Sequence, residues 1–299
     1  MAAQLGPVTL RSPLIAASGT VGSVVDFATV GALESYGAAV AKSVAPVPWT
    51  GNPAPRIGSS GAGMLNAIGI QNPGIEAWSD EVGPQLGSLP VPVWGSAVGG
   101  SAEEFAQVAK GLQSAGVAAI ELNLSCPNLE GDKMFALDGA AAGKVVAAVR
   151  QAVDLPVGAK LSPNSEDIVG VAGTVASAGA DWLVLTNTAW GFGIDVTTRR
   201  PTLTRGVGGY SGPPLKALAM RCVWQVHQAF PELPIVGCGG VSSAGDVVEY
   251  LLAGASAVAV GTAHFASPRI GSTIYRDLEK YLRRNSVTVA DLSGGGIPW

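Results

Sequence analysis

The fold class this sequence predicts is α/β: a (β/α)8 TIM barrel with extended βα loops at its C-terminal face. Three observations lead there. Eight short apolar runs are spread along the chain, each ending in Ser, Thr, Lys, Cys or Gly. Amphipathic stretches of helical period separate most of them. Several of those stretches stop at a glycine just before the next apolar run, as in Ser114-Ala115-Gly116, Ser177-Ala178-Gly179 and Leu252-Ala253-Gly254; glycine tolerates the left-handed conformation that ends a helix. Regular alternation of strand and helix requires parallel strands, and eight units close on themselves. A length of 299 residues suits one such domain, spanning 1–299.

The strands follow in order. Leu14-Ile15-Ala16-Ala17 ends at Ser18-Gly19-Thr20, and Ala38-Ala39-Val40-Ala41 ends at Lys42-Ser43. Val91-Pro92-Val93-Trp94 ends near Ser96. In the fourth, Ile120, Leu122 and Leu124 alternate with Glu121 and Asn123, so one face packs outward and the other points inward. Pro127 donates no ladder bond and biases Cys126 out of the helical region, so the strand stops there. Val157-Gly158-Ala159 leads to Lys160, Trp182-Leu183-Val184-Leu185 to Thr186-Asn187-Thr188, Ile235-Val236 to Gly237-Cys238-Gly239-Gly240, and Ala257-Val258-Ala259-Val260 to Gly261-Thr262. Helical patterns cover 102–115, 139–153, 168–178, 214–230 and 244–252. Residues 43–90 are too many for one crossover helix, and 195–213 are rich in Arg, Thr and Gly with little helical period. Loops this long at strand C-terminal ends point to function.

Composition narrows the partners. Hydrophobic residues make up 47% and charged residues 13%, enough for a large core and against disorder. A net charge of −4 with no basic run argues against nucleic acid. Mean hydropathy is positive, yet no stretch reaches the roughly 18 uninterrupted apolar residues of a membrane span, and there is no signal peptide. The three cysteines have neither even pairing nor CxxC spacing. That fits a reducing cytoplasm without disulfides or a zinc site.

Four groups of residues carry chemistry. Asn66, Asn72, Asn123, Asn128, Asn164 and Asn187 all fall at or after strand ends; singly each is an ordinary turn residue, but carboxamides both donate and accept, which suits the edge of a neutral cyclic amide or imide. Gly237-Cys238-Gly239-Gly240 and Gly261-Thr262 follow the last two strands, where backbone N–H groups of a barrel cradle a phosphate, although tight βα turns look the same. Lys42 and Lys160 stand at strand ends, and a lysine facing a barrel mouth needs an anion or an electron-rich group. It could form a Schiff base or offset charge on a cofactor. Cys126 lies beyond its strand between Asn123 and Asn128. His227 and His264 are the only histidines, and neither is placed to deprotonate it, so a thiol acting alone as a base stays open. Cys222 and Cys238 fit inert filling.

The segment Asn123-Leu124-Ser125-Cys126-Pro127-Asn128 resembles the active-site loop of class 1 dihydroorotate dehydrogenases, and the resemblance covers essentially the whole chain. Lys42-Ser43, Asn66-Ala67-Ile68-Gly69-Ile70-Gln71-Asn72-Pro73-Gly74, Lys160-Leu161-Ser162-Pro163-Asn164, Ser211-Gly212-Pro213, Gly239-Gly240 and Gly261-Thr262 occur in the family's order. Residues 64–74 and 208–213 look most like the class 1B catalytic subunit. The resemblance implies oxidation of dihydroorotate to orotate in pyrimidine biosynthesis with bound FMN. It also implies a homodimer and a partner subunit carrying FAD and a [2Fe-2S] cluster that passes electrons to NAD. It puts the FMN phosphate on Gly239, Gly240, Gly261 and Thr262, with Ser18, Lys42, Ser43, Asn123, Lys160, Thr186 and Gly212 around the rest. Dihydroorotate would meet Lys42, Asn66, Ala67, Ile68, Gly69, Ile70, Asn123, Asn128, Asn187 and Thr188. Cys126 would be the base and Lys160 the group offsetting charge on the flavin. One departure is Ser96, where the family often has an Asn near the flavin. Trp190 could cap the site, meet a partner or pack in the core. The alternatives are a class 1A-type enzyme using fumarate, a Schiff-base lyase working through Lys160, and a flavin-binding scaffold without the reaction.

Overall fold

In the computed structural model, which describes residues 1–125 and 134–294, every one of the eight apolar runs is a strand. Leu14–Ala16, Ala38–Val40, Val93–Ala97, Ala119–Asn123, Val157–Lys160, Trp182–Leu185, Ile235–Cys238 and Ala257–Val260 pair in chain order, and the eighth closes on the first. All these pairings are parallel. The third strand starts and ends later than its apolar run suggests, because Val91 and Pro92 form the approach and the Pro92 carbonyl only accepts from Ala39 N–H.

Alternation sorts the strand residues between the interior and the surrounding helices. Gly95 and Gly237 face outward, and a Cβ there would run into Leu112 and Tyr250 of the covering helices. Trp94 and Trp182 face inward and fill the lower barrel, their rings 4.9 Å apart. Gly158 is an inward position without a side chain because the Trp182 ring occupies that space. Further along the same inward face come Ser96 and Lys160, two residues on from Trp94 and Gly158, and, after the sixth strand, Thr186, four residues on from Trp182. The barrel is thus apolar low down and polar at the top. Its lower end is covered by the antiparallel hairpin Ala3–Leu5 with Val8–Leu10; Gly6 (φ +54) turns it against the Asp181 carbonyl and Pro234, next to the starts of strands six and seven.

The helices end where local chemistry ends them. Ala102–Ala115 is capped by Ser101, which accepts from Glu104 N–H, and stops at left-handed Gly116. Gly139–Ala152 starts from Asp138, which accepts from Ala140 and Ala141 N–H. Ile168–Ser177, Lys216–Ala229 and Ala244–Leu252 complete the expected set, the fourth preceded by a 3-10 turn at Pro213–Leu215 that takes up its proline start. Only 3-10 turns join the first two strands. The long helix Ile270–Asn285 fills the space this leaves, with Gly271 flush against the Tyr36 ring. Among the described residues no helix is long and apolar enough to cross a membrane, and Cys222 and Cys238 are free thiols.

The two long excursions meet. The first contains Ile57–Ser60, Gly63–Asn66 and the helix Ile75–Val82; the second contains Ala189–Phe192 and Val207–Ser211. Their strands form one antiparallel sheet with Val207–Ser211 beside Gly63–Asn66. Asn72 fastens the return of the first excursion: its Oδ1 accepts from Ala45 and Gly74 N–H at 3.0 and 2.9 Å, and its Nδ2 donates to the Ile70 carbonyl at 2.7 Å. Ile70 is held at φ +47, a left-handed conformation strained for a β-branched side chain.

Two outcomes follow from these contacts. Asn72→Ala removes three bonds and leaves buried N–H groups without acceptors, so it should destabilise the fold by about 3 kcal/mol, read as a lowered urea midpoint. The second concerns His264, buried between Thr20 and Tyr36. Thr20 Oγ1 donates to the Ala17 carbonyl, so it accepts from His264 Nδ1–H, and Nε2 accepts from the Tyr36 hydroxyl at 2.7 Å. Burial pushes this histidine down to about 4. The unfolded chain protonates first as pH falls through about 6.5, so stability is lost between there and about 4. His264→Gln should reduce the stability lost between pH 7 and pH 4.5 by about 2 kcal/mol, as measured by urea titration at both pH values.

Candidate active site at the barrel mouth

The inward residues at the upper ends of the strands, together with the sheet of the two excursions, enclose a cavity of about 1130 Å³. It is lined by Ser18, Lys42, Ser43, Asn123, Lys160, Thr186, Gly212, Gly239, Gly240, Gly261 and Thr262, and by Asn66, Ala67, Ile68, Gly69, Ile70, Asn187 and Thr188. Cys126 and Asn128 lie outside the described residues.

On one wall the polar groups form a hydrogen-bonded chain. Ser96 Oγ lies 2.9 Å from Ser43 Oγ, and Asn123 Nδ2 donates to Ser43 Oγ at 3.0 Å. Asn187 Nδ2 donates to Asn123 Oδ1 at 3.3 Å and to Ser125 Oγ at 2.7 Å, while its own Oδ1 accepts from Thr188 N–H. Each amide is therefore fixed in orientation by its neighbours. Ser96 is fully buried and does not reach the cavity; it supports Ser43 from beneath. In the sheet of the two excursions Asn66 Nδ2 donates to the Gly209 carbonyl at 3.3 Å.

The asparagines that resemble one another in sequence divide by geometry. Asn66, Asn123 and Asn187 face the cavity. Asn72 is spent on backbone, as is Asn164, whose Oδ1 accepts from Trp190 N–H and whose Nδ2 donates to Ser162 and Thr188. That bond places Trp190 on the rim, about half exposed (49%), so it is not core packing.

Lys160 ends the fifth strand inside the barrel, buried, with Glu121 of the fourth strand beside it. Nζ and Oε1 are 3.5 Å apart, close enough to attract but long for a hydrogen bond, and Oε1 has no other partner among the described residues. Burial works against the ammonium, but the carboxylate of Glu121 more than offsets it and holds its pKa above the ordinary lysine value. Glu121 and Cys238 both line the cavity, as does Arg205 at the rim. The first had a legible signal, a carboxylate at an inward strand position. Arg205 had none, since its place depends on how the second excursion folds.

The glycine turns after the last two strands bring bare backbone to the cavity. At Gly239 (φ +143) a Cβ would lie 2.8 Å from that of Ala219, and at Gly240 (φ +70) 2.9 Å from the Lys216 nitrogen; no other residue fits either position. Just before the helix that follows, the N–H groups and hydroxyls of Ser242 and Ser243 are taken up by Asp246. Lys216 is likewise occupied, with Asp246 at 2.7 Å and Glu249 at 3.1 Å. What remains free to meet an anion here is the backbone of Gly239–Gly240 and of Gly261–Thr262.

Comparison with known proteins agrees with this geometry. A family model described as dihydroorotate dehydrogenase matches residues 1–282. The chain is 45% identical to a protein of Pelobacter propionicus over 98% of its own length and 97% of the relative's. It is 45% identical to one of Desulforudis audaxviator, covering 96% and 94%, and 44% identical to one of Geobacter sulfurreducens, again 96% and 94%. All three carry the name dihydroorotate dehydrogenase B (NAD(+)), catalytic subunit. The chain belongs to the dihydroorotate dehydrogenase family, within its class 1B branch.

Proposed function

We propose that this protein oxidises dihydroorotate to orotate in pyrimidine biosynthesis, as one FMN-binding domain. The observation that carries the reading is the single cavity in which a buried cation, three oriented carboxamides and two glycine turns converge. The residues present fit FMN. The volume holds a flavin and a small heterocycle together, the glycine turns leave room for a phosphate against backbone, and Lys160 is a cation facing a space whose only carboxylate among the described residues is Glu121. Gly239, Gly240, Gly261 and Thr262 would hold the phosphate, and Ser18, Lys42, Ser43, Asn123, Lys160, Thr186 and Gly212 the remainder. When bound, the flavin supplies a hydride acceptor.

The chain's own residues do the rest. Asn66, Asn123 and Asn187, with Thr188 and the backbone of Ala67, Ile68, Gly69 and Ile70, orient the flat imide; Asn128 adds a contact, and Lys42 offsets the substrate carboxylate. Cys126, next in sequence after the hydrogen-bonded Ser125, takes the proton from C5, which is acidified by the adjacent carbonyl. Lys160 lowers the cost of negative charge at the flavin's pyrimidine end. A lysine held cationic beside Glu121 is a poor Schiff-base nucleophile, which disfavours the lyase reading. The relatives are named as NAD(+) enzymes and as catalytic subunits, which supports a separate partner subunit and NAD rather than fumarate as acceptor; in this reading the chain is a homodimer and the partner carries FAD and a [2Fe-2S] cluster.

Purified protein should absorb at roughly 450 nm and bleach when dihydroorotate is added without oxygen; a colourless protein would end the reading, and colour without bleaching would leave only a flavin-binding scaffold. Turnover should climb toward the thiol pKa of about 8.5, and Cys126→Ser should slow it and move that limb to higher pH. A pH–rate profile unchanged by the substitution would remove Cys126 from the role.

A further inference from the structure

We infer that Glu121 is a positioning residue for Lys160: its carboxylate anchors the ammonium against the cavity wall and keeps it charged, so that the site meets its cofactor with a fixed cation. The inference rests on the flavin reading above. Its geometric basis is the barrel register. Glu121 is opposite Gly158 and Asn123 opposite Lys160 on neighbouring parallel strands, so the acid and the base sit two residues out of step on one inward face. Gly158 contributes no side chain, the Trp182 ring lies below, and the lysine Nζ comes within 3.5 Å of Glu121 Oε1.

Both side chains are nearly shut off from water, 6% and 3% exposed. An ion buried this far needs its partner, because desolvation alone would discharge it. The groups acting on Lys160 are Glu121 from the fourth strand and Cys238 from the seventh. Cys238 cannot substitute for the carboxylate, because burial raises its thiol and keeps it protonated. Glu121 Oε1 makes no hydrogen bond among the described residues, so the carboxylate is not tied into the Ser43–Asn123–Asn187 chain. Its effect on Lys160 is electrostatic.

The test is Glu121→Gln in the flavin-loaded chain, with the midpoint potential of the bound flavin followed against pH by dithionite titration. Without its counter-charge Lys160 should titrate about two or more pH units lower. The variant should therefore show a higher potential than wild type at acid pH, where the ammonium is unopposed, and a break in the trace where it deprotonates. Wild type should show no such break up to about pH 10, and Glu121→Asp should restore the wild-type shape. A Glu121→Gln trace that overlays wild type overturns the inference. Carbon-13 NMR of the lysine ε-carbon in flavin-free protein reads the same amine directly, and a Lys160 titration unmoved by the substitution also overturns it. A colourless preparation would instead count against the flavin reading, while the amine titration still decides the role of Glu121. Should Glu121→Gln not fold, Glu121→Gln with Lys160→Met removes both charges: recovered folding supports the pairing, and continued failure contradicts it.

Discussion

An ammonium inside a protein must be matched by something, and in this chain it is matched inside the barrel. The inward positions of eight parallel strands form a closed interior that has to be filled. Low down, Trp94 and Trp182 fill it. Higher up, the same alternation places Lys160, Glu121 and Ser96, polar groups that have left water and can be satisfied only by one another or by a ligand, with the half-buried Asn123 beside them. The Lys160–Glu121 pair and the chain from Ser96 through Ser43 and Asn123 to Asn187 account for most of them. The open cavity above marks where the protein's own partners run out.

The two excursions give that cavity its walls. Either one alone would be a loop over solvent. Paired through Val207–Ser211 and Gly63–Asn66, they form a sheet that brings Asn66 and the Gly69–Ile70 turn to the cavity. The strain at Ile70 is held by Asn72, which lies away from the cavity. A residue can thus serve the site by fixing a backbone it supports without touching a ligand, and Asn72 and Ser96 both do so.

Much of this was legible in the sequence. The eight strands and five of the helices follow from short-range period and from glycine stops, which are local properties. The inward face of Glu121 and Asn123 follows from alternation alone. Other features depend on distant contacts and leave no local mark. The division of the asparagines into Asn66, Asn123 and Asn187 at the cavity and Asn72 and Asn164 on backbone is one. The pairing of the two excursions is another, as is the use of the helix Ile270–Asn285 to fill the gap between the first two strands. Asp246 shows the limit of motif reading: the glycine turn after strand seven resembles an anion site backed by a helix terminus, but that terminus is already capped by a carboxylate.

The account stands on the claim that this cavity takes a flavin and a pyrimidine together, and a crystal structure of the protein grown with FMN and orotate addresses it most directly. The account predicts the phosphate against Gly239–Gly240 and Gly261–Thr262, Lys160 at the flavin's pyrimidine end, and orotate bonded to Asn66, Asn123 and Asn187. Flavin bound away from Lys160, or orotate out of reach of those three amides, would contradict it.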